Sequence, residues 1–482
     1  MTPIPDAIDA SEAPRSGSLE RGQVIVLLLA ALPLLLVLQP YQWLSALGFR
    51  LQRAWPLGEQ GGIPATSLLL VFTGTALLTL LANGPLKGGR GGGLTGVLAL
   101  QLERVQQGPA RSAALASLDL KRQLSRLPLL VLTHGASLTV GLESPSASLG
   151  ASLLLALRNK LAPLKRLPLP VLLATGAGAG LGLAFNSVLL GVTYAVEELC
   201  RQRSSALING TLLTTGLGVV IGAATGLWKS TAEAAPAHHA GVSLLVGGGG
   251  HLIAPALLLT LASGWLGGVF TACTAWMASR WSHWLSRTAD PGGSANVRPL
   301  VWALGAALVI SLAAVASDGW SLNDGQLLIL RMAYGEDRPG LEVLPWRLLA
   351  SVLSIAIGAP GGVMHDAMSL GALLAGPLIG DLPPLERQLL VWTGATALFS
   401  GACRTPLFCA LFVAQIAGSV ALVPVLLLVA ALAAPIGRWV GADSWNEVQL
   451  ERWLETHGAG PVEKRKQTES SGFHHFLGRL NS

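Results

Sequence analysis

The sequence predicts an all-α integral membrane protein built as two related halves. Three observations carry that reading: a scarcity of charge, apolar runs that often stop short of a full membrane span, and a short motif that recurs late in the chain.

Apolar residues make up 51% of the 482 positions and charged residues only 12%, about half the charged fraction of a soluble domain. Runs nearly free of ionisable groups recur at Val24 to Leu38, Leu68 to Leu81, Leu252 to Leu266 and Val420 to Ile436, and about 20 residues cross the hydrocarbon layer. Several runs are shorter or broken by Gly and Pro. Such segments read as helices that end inside the membrane, which is tolerated only where bare backbone is buried in protein or lines a cavity.

The net charge is +6, but the basic residues are scattered through short connectors such as Arg158 to Arg166 and the tail around Lys464 to Lys466. That pattern is positive-inside topology rather than a nucleic-acid footprint, and it sets Lys160, Lys165 and Arg166 on the cytoplasmic side. Cys200, Cys273, Cys403 and Cys409 lack CxxC spacing, so they read as small core residues. Asp6, Asp9, Glu12 and Glu20 precede the first apolar run, unlike the basic start of a cleaved signal peptide. The pattern divides the chain into a soluble N-terminal tail (1–21), a first membrane repeat (22–230), an interrupted membrane and loop segment (231–300), a second membrane repeat (301–440) and a C-terminal segment and tail (441–482). The polar stretches at Ala234 to Gly250 and Ala289 to Arg298 read as loops or re-entrant ends, and His238 and His239 as a solvated pair.

The repeat is short but ordered. Ser148-Leu149-Gly150-Ala151 returns as Ser369-Leu370-Gly371-Ala372, an offset of 221, and Ala184 to Leu189 aligns loosely with Ala402 to Leu407 at 218. Transporters use two such halves to place a binding site between broken helices at the bilayer midplane.

Glu143 follows the apolar run Leu129 to Val140 and precedes another from Ala151 to Leu157. An acid at that depth is costly, so function is the first hypothesis and helix capping the plainer one. Pro145 suits a first helical turn, whose unpaired N–H groups attract either the Glu143 carboxylate or a free anion. Asn83-Gly84-Pro85, Gly88 to Gly93 and Gly358 to Met364 read as further helix entries, the last aiming the Val363 and Met364 amides at a ligand. Ala174 to Gly182 resembles a nucleotide loop but lacks the closing Lys-Ser/Thr, and its small residues suit close helix packing. Glu197 and Glu198 end the run Val188 to Val196, with one of the pair expected to face the interior.

Gly141-Leu142-Glu143-Ser144-Pro145 resembles the GxEGP motif of CLC chloride channels and proton antiporters, with Ser144 for the second Gly. Phe185 to Gly191 followed by Glu197-Glu198 is similar to FNAPLAG…EE, and Gly358 to Asp366 to GAPGGxFxP. GSGIP has two candidates, Asn83-Gly84-Pro85 and Gly89 to Gly93, which place either Asn83 or Arg90 at the serine position. The likeness runs in family order over most of residues 65–450. It implies a CLC-type fold of about 18 tilted or broken helices in two inverted-topology repeats, in the plasma (inner) membrane if the source is prokaryotic.

The resemblance also implies roles. Glu143 is the expected gating glutamate and Glu198 the internal proton acceptor. Asn83 or Arg90, with Val363, Met364 and Trp445 in place of the family's pore tyrosine, is expected to line the anion site. An acid at position 198 favours exchange with protons over a passive channel, and chloride is the default anion, with fluoride or nitrate as alternatives. Met364-His365-Asp366 departs from the family's Phe-x-Pro, and Asp366 is expected to cap its own helix. A homodimer without CBS domains is implied, and no cofactor is called for. His134, His251 and the His365-Asp366 pair form none of the usual catalytic spacings, so an enzyme is not indicated.

Overall fold

A computed structural model describes residues 18–54, 63–200, 204–227, 249–286, 297–335, 339–441 and 443–458. His238 and His239 and most of both predicted polar loops lie outside them. The described residues form nineteen α-helices and no strand. The first ten are α1 (Arg21–Arg53), α2 (Ala65–Asn83), α3 (Thr95–Ala99), α4 (Gly108–Ser117), α5 (Leu120–Gly135), α6 (Glu143–Lys160), α7 (Ala162–Lys165), α8 (Leu169–Ala184), α9 (Val188–Thr193) and α10 (Ser205–Thr225). There follow α11 (Ile253–Ser286), α12 (Arg298–Ala316), α13 (Gln326–Tyr334), α14 (Val343–Ala356), α15 (Met364–Ile379), α16 (Pro384–Cys403), α17 (Pro406–Ala417), α18 (Val423–Gly437) and α19 (Trp445–Thr456).

Among the described residues, six helical stretches are long and apolar enough to cross a bilayer, including Arg21–Leu51, Gly250–Leu285 and Val420–Val440. Each buries less than half of its window, between 33% and 44%, inside the protein. The outward remainder is apolar, with Leu29, Leu69, Val220, Leu258, Leu312 and Leu428 exposed. Water would not tolerate so much apolar surface, whereas lipid does. The chain is therefore a multi-pass integral membrane protein.

Inside this shell, α6 packs on α8 and α15 on α16 at backbone distance. A Cβ at Gly150 would overlap the carbonyl oxygen of Gly176, and one at Gly371 that of Gly394. The α6–α8 and α15–α16 backbones thus touch, which is the use of small residues expected for Ala174 to Gly182.

The two halves repeat in detail. Helix α1 packs on α5 and α10 as α11 packs on α14 and α18, and α2 meets α5 as α12 meets α14. The interrupted membrane segment expected at 231–300 contains α11, which packs on α14 and α18 as α1 packs on α5 and α10.

The repeat extends to buried charge. Arg126 on α5 donates to the Gly89 carbonyl at 3.2 Å and to Gln123 and Ser148. Its counterpart 221 residues on, Arg347 on α14, donates to the carbonyls of Trp320, Leu322 and Asn323 at 3.0, 3.1 and 3.0 Å and to Ser369 at 2.5 Å. Each arginine pins the loop that enters a short helix. Gly93 (φ +79) and Gly325 (φ +94) let those loops turn against the guanidinium, where a Cβ would strike it.

The halves meet at equivalent residues. Gly141 N–H donates to the Gly362 carbonyl at 3.2 Å, and Gly362 N–H returns to Gly141 at 2.9 Å. This reciprocal pair between positions 221 apart is the signature of a local two-fold axis, and it sets the starts of α6 and α15 side by side.

Candidate functional site

Glu143 is the first residue of α6 and fully buried. Its Oε1 accepts the backbone N–H of His365 at 3.4 Å and forms a second hydrogen bond with the His365 Nδ1. The amide that reaches the carboxylate therefore belongs to His365, one residue beyond the expected Val363 and Met364, both of which are buried beside it at the start of α15. Oε2 has no partner among the described residues. It lies against the Gly141–Gly362 pair, where a Cβ on Gly362 would come within 2.6 Å of it. Two helix N-termini, one from each half, thus converge on one carboxylate, and their unpaired amides favour negative charge there.

An aromatic wall closes the far side. The Phe185 ring stacks on the His365 imidazole at 5.9 Å, and Phe412 meets it edge-on at 5.4 Å. Phe399 and Phe408 continue the wall behind Phe412.

Asp366 does not cap α15, contrary to the sequence reading. It turns to Arg347, 3.3 Å away with both side chains fully buried, and accepts from Ser351 at 2.9 Å. A buried guanidinium is a far stronger attractor than the amides of its own helix.

The second acidic element occupies the π-helical turn Tyr194–Leu199 that continues α9. Such turns rotate successive side chains out of helical register, and here both acids find partners. Glu197 accepts the N–H groups of Leu407 and Phe408 at 3.2 and 2.6 Å, capping α17. Glu198 accepts from the Asn446 amide and keeps a buried Oε2 without a partner. It lines a cavity of about 380 Å³ shared with Arg404, Thr405, Arg438, Asn446 and Glu447. Tyr194, in the same turn, is fully buried and packed on Phe408 at 4.9 Å. Its hydroxyl has no hydrogen-bond partner among the described residues and lies within electrostatic reach of Glu198 and Glu143.

The two serine-position candidates separate. Asn83 ends α2, and its amide donates to the carbonyls of Ile357 and Thr79 at 2.9 and 2.8 Å. Pro85 opens no helix, only a turn leading to the 3₁₀ segment Lys87–Gly89. The helix entry expected there is absent because α2 simply stops. Arg90 lies against Gly358, whose carbonyl accepts the Gly91 N–H at 3.2 Å. Its guanidinium has no hydrogen-bond or ion-pair partner among the described residues. Trp445 is half-buried at the start of α19. Its neighbour Asn446 is the residue that reaches Glu198. His251, by contrast, pairs with Glu386 at 3.1 Å away from this site.

Two inverted helical halves joined across a buried acid define a polytopic membrane protein of the CLC architecture. Residues 68–438 match the voltage gated chloride channel family, to which the chain belongs. It is 25% identical over 359 residues, 69% of each chain, to the H(+)/Cl(-) exchange transporter ClcA of Salmonella typhimurium. Among solved structures it is similar to a slow cyanobacterial Cl-/H+ antiporter, at TM-score 0.67 and 19% identity, covering 92% of this chain and 100% of that one. A CLC-type fluoride/proton antiporter follows at TM-score 0.61 and 21% identity, covering 89% and 96%.

His365, Tyr194 and Asn446 were not among the predicted site residues. The first was visible as a departure from the family motif, and the last as the neighbour of Trp445. Tyr194 gave no signal beyond lying four residues before Glu198.

Proposed function

We propose that this chain exchanges a small inorganic anion, chloride by default, for protons across the bilayer. Glu143 is the gate and Glu198 the inner proton acceptor. The observation that carries the reading is the Glu143 carboxylate itself, buried where two helix starts converge, with one oxygen unpartnered. Ionised, it occupies the place an anion would take. Protonated, it loses the attraction of those amides and yields the place. Glu198 lines a polar cavity and keeps an Oε2 without a hydrogen bond among the described residues, which supports its role as the inner proton acceptor. The curated relative named as an H(+)/Cl(-) exchange transporter supports the same reading.

Arg90 is the better candidate for the anion-side serine position, because the Asn83 amide is already occupied by two carbonyls. Val363, Met364 and Trp445 complete the proposed lining, and a homodimer with one pathway per subunit is the assembly the resemblance implies. The test is reconstitution into liposomes with chloride, fluoride, nitrate and bromide gradients while external pH is recorded. Anion gradients should drive protons uphill. Anion flux without proton movement would make the protein a passive channel instead.

A further inference from the structure

One residue holds the Glu143 carboxylate twice. Oε1 takes the backbone N–H of His365 at 3.4 Å and also the Nδ1 of the same side chain. An ionised carboxylate only accepts, so Nδ1 carries the proton of a neutral ring, and Nε2, buried without a hydrogen bond among the described residues, is its bare acceptor. The ring is 4% exposed, stacked on Phe185 at 5.9 Å and met edge-on by Phe412 at 5.4 Å. Packing therefore fixes its plane, and the direction of Nδ1–H with it.

Two N–H groups of different origin thus meet at one atom. Any residue at position 365 would supply the backbone donor, but the Nδ1–H comes only from this side chain. The equivalent position in the first half is Ser144, so the fold itself does not call for an imidazole here. Beside the same place lies Glu143 Oε2, buried and without a partner among the described residues.

When Glu143 withdraws, both His365 donors are left buried with nothing to bond. Buried donors without an acceptor are costly, and an arriving anion supplies an acceptor for both. We propose that the neutral imidazole of His365 is a side-chain ligand of the transported anion, donating Nδ1–H to it where Glu143 Oε1 had stood. The inference rests on the transport reading above and deepens it. The proton on Nδ1 stays where it is throughout, so His365 sets how tightly the anion is held.

The test empties the place first. Chloride binding to detergent-solubilised Glu143→Ala is titrated by calorimetry, alongside the same variant carrying His365→Phe, His365→Leu or His365→Asn. His365→Phe keeps a ring between Phe185 and Phe412 but removes the donor, and His365→Leu removes both. In His365→Asn the amide nitrogen stands as many bonds from the backbone as Nδ1 and restores a donor. Loss of one hydrogen bond to a charged group predicts chloride affinity lower by about tenfold or more with Phe or Leu, and recovery to within about threefold with Asn. Unchanged affinity in either donor-free variant, or a loss with Asn as large as with Phe, overturns the assignment of His365. So does a Glu143→Ala protein that binds no chloride while the unsubstituted chain carries chloride into liposomes. Elution as a monodisperse peak establishes that each variant is folded, and Phe and Leu are independent tests should one of them fail to fold. Chloride that neither binds to nor crosses membranes with the unsubstituted chain would overturn the transport reading itself, which separates the two failures.

Discussion

The Arg347–Asp366 pair offers a sharp test of how the second half is held together. Both side chains are fully buried at 3.3 Å, and Arg347 also satisfies three carbonyls of the 320–323 loop. We predict that Asp366→Asn, which removes the charge but keeps the shape and the Ser351 hydrogen bond, destabilises by about 3–5 kcal/mol, the usual cost of leaving one buried charge unpaired. At no more than about 2 °C per kcal/mol for a chain this long, the apparent unfolding temperature should fall by several degrees, to a ceiling of about 6–10 °C. Arg347→Met should cost more, because it also leaves three buried carbonyls without donors at about 1–3 kcal/mol each. Arg347→Met/Asp366→Leu should recover part of that loss by removing the orphaned carboxylate, a coupling that a double-mutant cycle reads directly. The assay is intrinsic tryptophan fluorescence on heating in detergent at one fixed scan rate, since such unfolding is irreversible. An Asp366→Asn protein that unfolds within 1 °C or so of the parent would refute the reasoning. It would mean that Asp366 carries no charge in the folded state and that the carbonyls alone hold Arg347, as the neutral partners of Arg126 do in the first half.

Four further outcomes are expected. Glu143→Gln should cut proton flux in liposomes by about 100-fold or more, the lower end for losing a positioned proton-transfer group, while anion flux persists; unchanged proton flux would refute the gating role. Glu198→Gln should lower proton flux more than anion flux, and equal loss of both would make Glu198 a structural residue. Tyr194→Phe removes only a buried hydroxyl without a partner, so stability should hold or rise by about 1 kcal/mol while proton flux falls; unchanged flux would exclude Tyr194 from the proton route. Gly371→Leu forces a side chain into the Gly394 carbonyl, and an overpacking cost of at least about 1–3 kcal/mol should appear as lost monodisperse protein on size exclusion.

The membrane body and its repeat were legible because lipid imposes a coarse rule. Apolar runs had to be helices, and the Ser148 and Ser369 motifs share an offset that the folded chain uses for Arg126 and Arg347 as well. The partners of α11 were less legible: it follows a Gly- and His-rich stretch that resembles a connector, and its packing on α14 and α18 is a long-range relation that periodicity does not carry. Side-chain destinations were less legible still. Asp366 had both a local partner, the amides of α15, and a distant one, Arg347, and periodicity cannot weigh a contact 19 residues away. Asn83 looked like a ligand because it precedes Gly-Pro, whereas the fold gives its amide to Ile357.

The same two-fold relation shows where function departs from scaffold. Gly141 faces its own equivalent Gly362, and Ser148 and Ser369 each bond an arginine 22 residues earlier. Those positions match because both halves must solve the same folding problem. At the next steps along the repeat the equivalence fails: Glu143 corresponds to Met364, Ser144 to His365 and Pro145 to Asp366. An acid stands at one helix start and a base at the other, and the two-fold brings them into hydrogen-bonding contact. A symmetric pair of helix N-termini alone would hold an anion with no means of sensing protons, since backbone amides do not titrate in the physiological range. In the proposed reading the asymmetric pair makes anion occupancy answer to protonation, beside the reciprocal Gly141–Gly362 backbone pair that joins the halves.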